Sequence, residues 1–260
     1  MASTMRTPEK RRRLPRRSIP IPRHENPLLM SLPARMRLFQ MASQAFPIGG
    51  YSHSHGLEAA IESGCLRTGS IRDEVSVEQW ILDVLSFSLN SYEVPSLLDM
   101  GIAWAAEDLD AVRRLNQEFL ATRESAELRS ATVQMGFSMR ALLAVLPELP
   151  TALIETLKLM EEPSLPCVWS GAAAAWSIAP SDSVAAYLWS WAENQVLVAM
   201  KALPMGQSSG QRVLLGIGAH IARLATQWTC ADAGMRSNFA PGLAILSSQH
   251  ETQYSRLFRS

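Results

Sequence analysis

Lysine is almost missing from this chain. Among 260 residues only Lys10, Lys158 and Lys201 occur. None follows a glycine and precedes a serine or threonine, so the lysine-tipped loop that cradles nucleotide phosphates is excluded. Cysteine is equally sparse. Cys65, Cys167 and Cys230 are far apart, and no CxxC pair exists. An odd number of scattered cysteines fits free thiols in a reducing compartment, and the expected location is cytoplasmic. There is no HExxH, no GxSxG and no Cys-His-rich cluster, so the common hydrolase and structural-zinc signatures are absent. Excess charge is lacking too. Lys+Arg and Asp+Glu both number 24, and a formal net charge of zero gives no field to gather nucleic acid. No apolar run reaches the length of a membrane span. Hairpin signatures and alternating strand patterns are missing, and no fixed repeat appears.

What is present is helical periodicity. Val77, Trp80, Ile81, Val84, Leu85 and Leu89 step by three and four, which predicts one amphipathic helix over 70–91. Pro95 is expected to kink or restart the chain. Similar patterns predict helices around Leu38–Ala42, Leu57–Ile61, Leu97–Trp104, Val112–Phe119, Glu127–Leu146, Thr151–Glu161, Trp169–Ile178, Ser181–Met200 and Gln207 to about Asp232. Asp108 or Asp110 caps the helix bearing Val112–Phe119, Thr151 caps its own, and Gly64 closes the one at Leu57–Ile61. The fold class read from this is all-α: a single-domain bundle of about ten helices. Seven tryptophans lie mostly in the apolar runs and are read as core. Residues 1–33 form a separate block. Lys10, Arg11, Arg12, Arg13, Arg16 and Arg17 stand among prolines, a composition expected to be disordered. It is read as a dispensable basic extension, with Met30 or Met36 as alternative starts. The helical domain is assigned to 34–235 and a docking tail to 236–260.

Three polar segments interrupt the helices. The first is Pro47-Ile-Gly-Gly-Tyr-Ser-His-Ser-His-Gly-Leu-Glu58. Pro47 and Gly49-Gly50 stop an incoming helix, Ser54 is a candidate N-cap, and Glu58 falls in the next first turn, where a carboxylate is favoured. This reads as a rigid helix–loop–helix corner. His55 and Glu58, at i,i+3, are the best acid–base pair available. His53 and His55 alone do not make a metal site. The second segment is Lys201-Ala-Leu-Pro-Met-Gly-Gln207-Ser-Ser-Gly-Gln-Arg212, a turn-forming insertion between apolar helices. The third closes the chain, with His250 and Glu251 followed by Tyr254, Arg256, Leu257, Phe258 and Arg259. Tyr254, Leu257 and Phe258 are spaced to share one helix face. Aromatic and arginine residues at a terminus point to an anchor for a partner, because such residues dominate binding hot spots.

Together these segments resemble the UreF family of urease accessory proteins. The corner looks like that family's opening signature. Lys201-Ala-Leu-Pro-Met-Gly-Gln207 looks like its lysine-to-PLGQ loop, with Met205 where leucine is usual. His250–Ser260 looks like its closing signature. The likeness runs from about Leu38 to Ser260. It implies a dimeric all-α protein without catalysis or cofactor of its own. Such proteins bridge UreD, also called UreH, and the GTPase UreG, in a complex that loads nickel into apo-urease. It also implies that Tyr51, Ser52, His55, Glu58, Lys201, Gln207, Arg212 and the tail residues serve docking or coupling. Two competing readings remain open. One is a helical small-molecule enzyme using His55 and Glu58, aided by Lys201. The other is a GTPase activator that inserts Arg212 or a tail arginine into the nucleotide site of UreG.

Overall fold

The computed structural model describes residues 30–63, 73–227 and 236–259. Within them the helices are α1 (Leu32–Ala42), α2 (Leu57–Ser63), α3 (Glu74–Val84), α4 (Val94–Ala105), α5 (Leu109–Ala121), α6 (Ala126–Leu143), α7 (Thr151–Leu159), α8 (Leu165–Ala175), α9 (Pro180–Ala202), α10 (Gln207–Gln227) and α11 (Pro241–His250). No strand occurs among the described residues, so the all-α expectation holds. Gly64, the leader and the end of the last predicted long helix lie outside the described residues.

The longest of the described helices, α9, is the axis of the assembly. It packs against α1, α2, α3, α4, α8 and α10. Val184, Leu188, Val196 and Ala199 are buried along it. On α10 the buried set is Val213, Leu214, Ile217, Ile221 and Leu224, an apolar stripe with three- and four-residue steps, and it lies on α9 and α3. α4 runs along α8, whose Ala172 and Ala173 are small enough for close approach. Trp169 of α8 meets Tyr187 of α9 edge-on, with ring centroids 5.3 Å apart. Buried side chains such as Leu57, Ile81, Leu85 and Leu188 each contribute about 2 kcal/mol by leaving water.

The predicted helix over 70–91 is not one regular helix. Asp73 caps α3 by accepting the Ser76 amide at 2.9 Å. After Val84 the chain widens into a π-helical stretch, Leu85–Glu93, which passes directly into α4. Three serines lie in and beside this stretch. Ser86, Ser91 and Ser96 each donate a hydroxyl to the carbonyl four residues back, at 2.7, 2.7 and 2.8 Å. Such bonds compete with backbone amides and loosen the helix. Pro95 has no N–H for the Ser91 carbonyl, which instead accepts the Ser237 amide at 3.2 Å. Proline therefore frees an acceptor for a distant segment rather than ending the helix. Elsewhere Asp108 caps α5 as expected, through the Ala111 amide at 3.0 Å. Pro150, not Thr151, occupies the cap position of α7, and Pro166 sits inside the first turn of α8 instead of preceding it.

Candidate functional site

The corner between α1 and α2 is fixed from below by Phe46 and Ile48, both buried. It then makes a 3-10 turn over Gly50–Ser52, entered through Gly49 at φ 80°. His55 (φ 49°) and Gly56 (φ 83°) turn the chain again, so α2 begins only at Leu57. A Cβ on Gly56 would stand 3.2 Å from Leu243 of α11, in a backbone region that side chains avoid. Ser54 does not cap the helix with its side chain. Its carbonyl accepts the Leu57 amide at 3.1 Å, while its buried hydroxyl has no partner. Because His55 precedes the helix, the i,i+3 geometry expected for His55 and Glu58 does not apply. The two go to different partners.

Glu58 is 2% exposed and faces the end of the chain. Its Oε2 accepts from His250 Nε2 at 3.0 Å and from the Phe258 amide at 3.1 Å; its Oε1 accepts the Leu257 amide at 2.6 Å. The other ring nitrogen of His250, Nδ1, lies 2.8 Å from Glu127 Oε2 on α6. Glu127 Oε1 takes Arg256 at 3.0 Å. Glu251 accepts the Ala126 amide at 3.0 Å and so completes the start of α6, where a carboxylate is favoured by the helix dipole. Ser52 contributes its carbonyl to the Arg259 amide at 2.8 Å. Phe258 is buried, with the Lys201 ammonium 5.3 Å from its ring centroid. Corner, α6, the end of α9 and the closing residues thus meet at one point.

The other corner histidine belongs to a second cluster. His55 Nδ1 accepts the Trp191 indole N–H at 2.9 Å, which leaves its hydrogen on Nε2. Burial pushes His55 down to about 3, helped by His53 and Arg123. His53 is lowered to about 4, by burial first and Arg259 second. Both rings are neutral near pH ~7. Asn194 donates to the His53 carbonyl at 2.8 Å and ties the corner to α9. A cavity of about 70 Å³ lies beside His55, lined by Glu93, Arg123, Tyr187, Trp191 and Asn194 among others. Glu93 bonds Arg123 at 3.1 Å and accepts the Tyr187 hydroxyl. Burial and the Glu93 charge hold the Tyr187 phenol well above its usual range.

The remaining sequence-predicted residues are not gathered here. Tyr51 is exposed at the corner's tip, and Gln207 is exposed at the start of α10. Arg212 is on the surface of α10, holding Glu74 of α3 at 2.6 and 3.2 Å. Lys201 belongs to the last turn of α9 rather than to the loop. The closing residues after His250 are not helical, so Tyr254, Leu257 and Phe258 do not share a helix face. Phe258 turns inward, while Tyr254 and Leu257 stand in solvent. Sequence reasoning missed Glu127, Trp191 and Asn194 as site residues. Each stands in an ordinary helical run, and nothing local marks it. Among the described residues, no group of three or more His, Cys, Asp or Glu is arranged to hold a metal, and no helix is long and apolar enough to cross a membrane.

An all-α chain whose closing residues seal a glycine-rich corner through a buried histidine has known relatives. The family model described as UreF matches residues 71–218. The chain is 51% identical over 225 residues to the urease accessory protein UreF of Dechloromonas aromatica strain RCB, covering 86% of this chain and 96% of that protein. It is 48% identical over 231 residues to the protein of that name from Azoarcus sp. strain BH72, covering 86% and 95%. With the one from Cupriavidus metallidurans it shares 43% identity over 235 residues, covering 89% and 100%. The chain belongs to the UreF family.

Proposed function

We propose that this chain is a non-catalytic assembly factor of urease maturation. It acts in the cytoplasm as a homodimer that bridges UreD (UreH) and the GTPase UreG, so that GTP hydrolysis drives nickel into apo-urease. Family membership carries this reading. The geometry agrees with it. The acid–base pair an enzyme would need is split, since Glu58 serves His250 while His55 serves Trp191. Arg212, the candidate arginine finger, is engaged by Glu74. Tyr254 and Leu257 stand outward beside an inward Phe258, which suits a segment that offers apolar side chains to UreD from a fixed base. Leu32, Met36 and Phe39 form an exposed stripe on α1, four and three residues apart, suited to an apolar contact between copies.

Co-expression with UreD and UreG, followed by size-exclusion chromatography with light scattering and a urease activation assay, tests the proposal. Removing Gln249–Ser260 is a poor probe, because it also strips His250 from two buried carboxylates. Tyr254→Ala combined with Leu257→Ala removes only exposed side chains. We expect this variant to lose co-purification with UreD while its melting temperature stays within about 2 °C of wild type. Full retention of UreD by the double variant would overturn the tail assignment. Lys201→Ala is expected to lower urease activation while costing under about 1 kcal/mol of stability, the worth of one exposed cation–π contact.

A further inference from the structure

We propose that His250 is held as an imidazolium, and that its second ring proton closes the end of the chain onto the corner. The convergence of donors points to it. Five donors converge on the two carboxylates: both nitrogens of His250, the amides of Leu257 and Phe258, and Arg256. Every oxygen of Glu58 and Glu127 is an acceptor in this set, so neither carboxyl needs a proton of its own. A neutral imidazole donates from one nitrogen only. Its other nitrogen would then set a lone pair against a carboxylate oxygen at 2.8 or 3.0 Å, in a place where His250 is fully buried. With the second proton the four groups Glu58, Glu127, His250 and Arg256 sum to zero charge. Without it they leave an uncompensated negative charge out of water, which is strongly unfavourable.

Other charged and titratable groups border the cluster on every side. Glu251 of the closing segment sits at the start of α6, Lys201 of α9 lies over Phe258, and Arg259 lies close enough to lower His53 at the corner. None of them bonds to the imidazole in place of the two carboxylates. The closing segment is fastened mainly through Glu58, which holds the Leu257 and Phe258 amides. Closure therefore takes up a proton. Raising the pH favours the open segment, by up to about tenfold per pH unit once the ring has lost its proton. In the open state the corner, Lys201 and the apolar side of Phe258 are all uncovered together.

The test uses the full-length chain. Ring-nitrogen NMR shifts of His250 near pH ~6.5 should show both nitrogens protonated; a neutral tautomer overturns the proposal. Amide exchange at Leu257 and Phe258, corrected for intrinsic rates, should lose at least about tenfold protection between pH ~6.5 and ~9 while the amides of α9 keep theirs. Unchanged protection of the two tail amides across that range overturns it. His250→Gln is expected to be open at both pH values. Should that variant fail to fold, the wild-type measurements decide alone.

Discussion

The indole N–H of Trp191 reaches His55 at 2.9 Å inside a mostly buried cluster. Replacing Trp191 with Phe removes the donor, leaves an imidazole acceptor without its bond and costs about 1–3 kcal/mol. Chemical denaturation should show this as a lower midpoint with little change in slope. The same histidines make stability depend on acid. Their ordinary value is 6.5, and the fold lowers His55 to about 3 and His53 to about 4. The unfolded chain therefore takes up protons that the folded chain refuses. The stability that His53 and His55 contribute is complete above about 6.5 and falls as pH drops toward 4, flattening only near the folded values. Melting temperature measured from pH ~7 to ~4.5 should decline, and His55→Gln should make that decline shallower. At this scale the sequence named His55, Glu58 and His250 but not which groups they bond. Residues separated by more than a hundred positions leave no periodic trace of one another. Glu127 in particular reads as an ordinary first-turn carboxylate.

Helix junctions carry their own constraints. Gly136 of α6 lies against the chain entering α8, and a Cβ there would stand 2.0 Å from the Pro163 carbonyl oxygen. Backbone cannot swing aside as a side chain can. Gly136→Ala is expected to destabilise by about 3 kcal/mol. Gly206 has nothing within 4 Å of a Cβ, so Gly206→Ala should change stability by less than about 0.5 kcal/mol. Urea unfolding of the pair separates close approach from backbone freedom. Helix existence and order were readable because each apolar stripe repeats locally. The π-helical stretch was not, since it goes with serine hydroxyls returning to carbonyls and with a proline that leaves the Ser91 carbonyl to Ser237. Those are choices among competing acceptors, and apolar spacing is blind to them.

Over the whole molecule, α9 joins the two clusters. It supplies Trp191 and Asn194 to the corner's underside and Lys201 to the closing residues. A disturbance at either cluster therefore has a packed helix through which to reach the other. Glu58→Gln should report this. It weakens the acceptor for two amides and a histidine, and loss of one partner from a buried charged set costs about 3 kcal/mol. We expect the loss to appear both in melting temperature and in faster exchange of the Leu257 and Phe258 amides. A drop in melting temperature without local exchange would mean that Glu58 supports the bundle rather than the closing residues. Sequence likeness pointed to the corner, loop and tail as a functional set, yet only packing reveals that Gln207 and Arg212 stand apart from it.

The bond from Leu257 to Glu58 spans 199 positions. A ribosome makes the corner long before its seal. Until residues 250–258 have emerged, Glu58 and Glu127 must stay wet or borrow other donors, so the corner matures well after its own residues are made. A chain stalled late in synthesis would already hold most of its helices and still lack a finished corner.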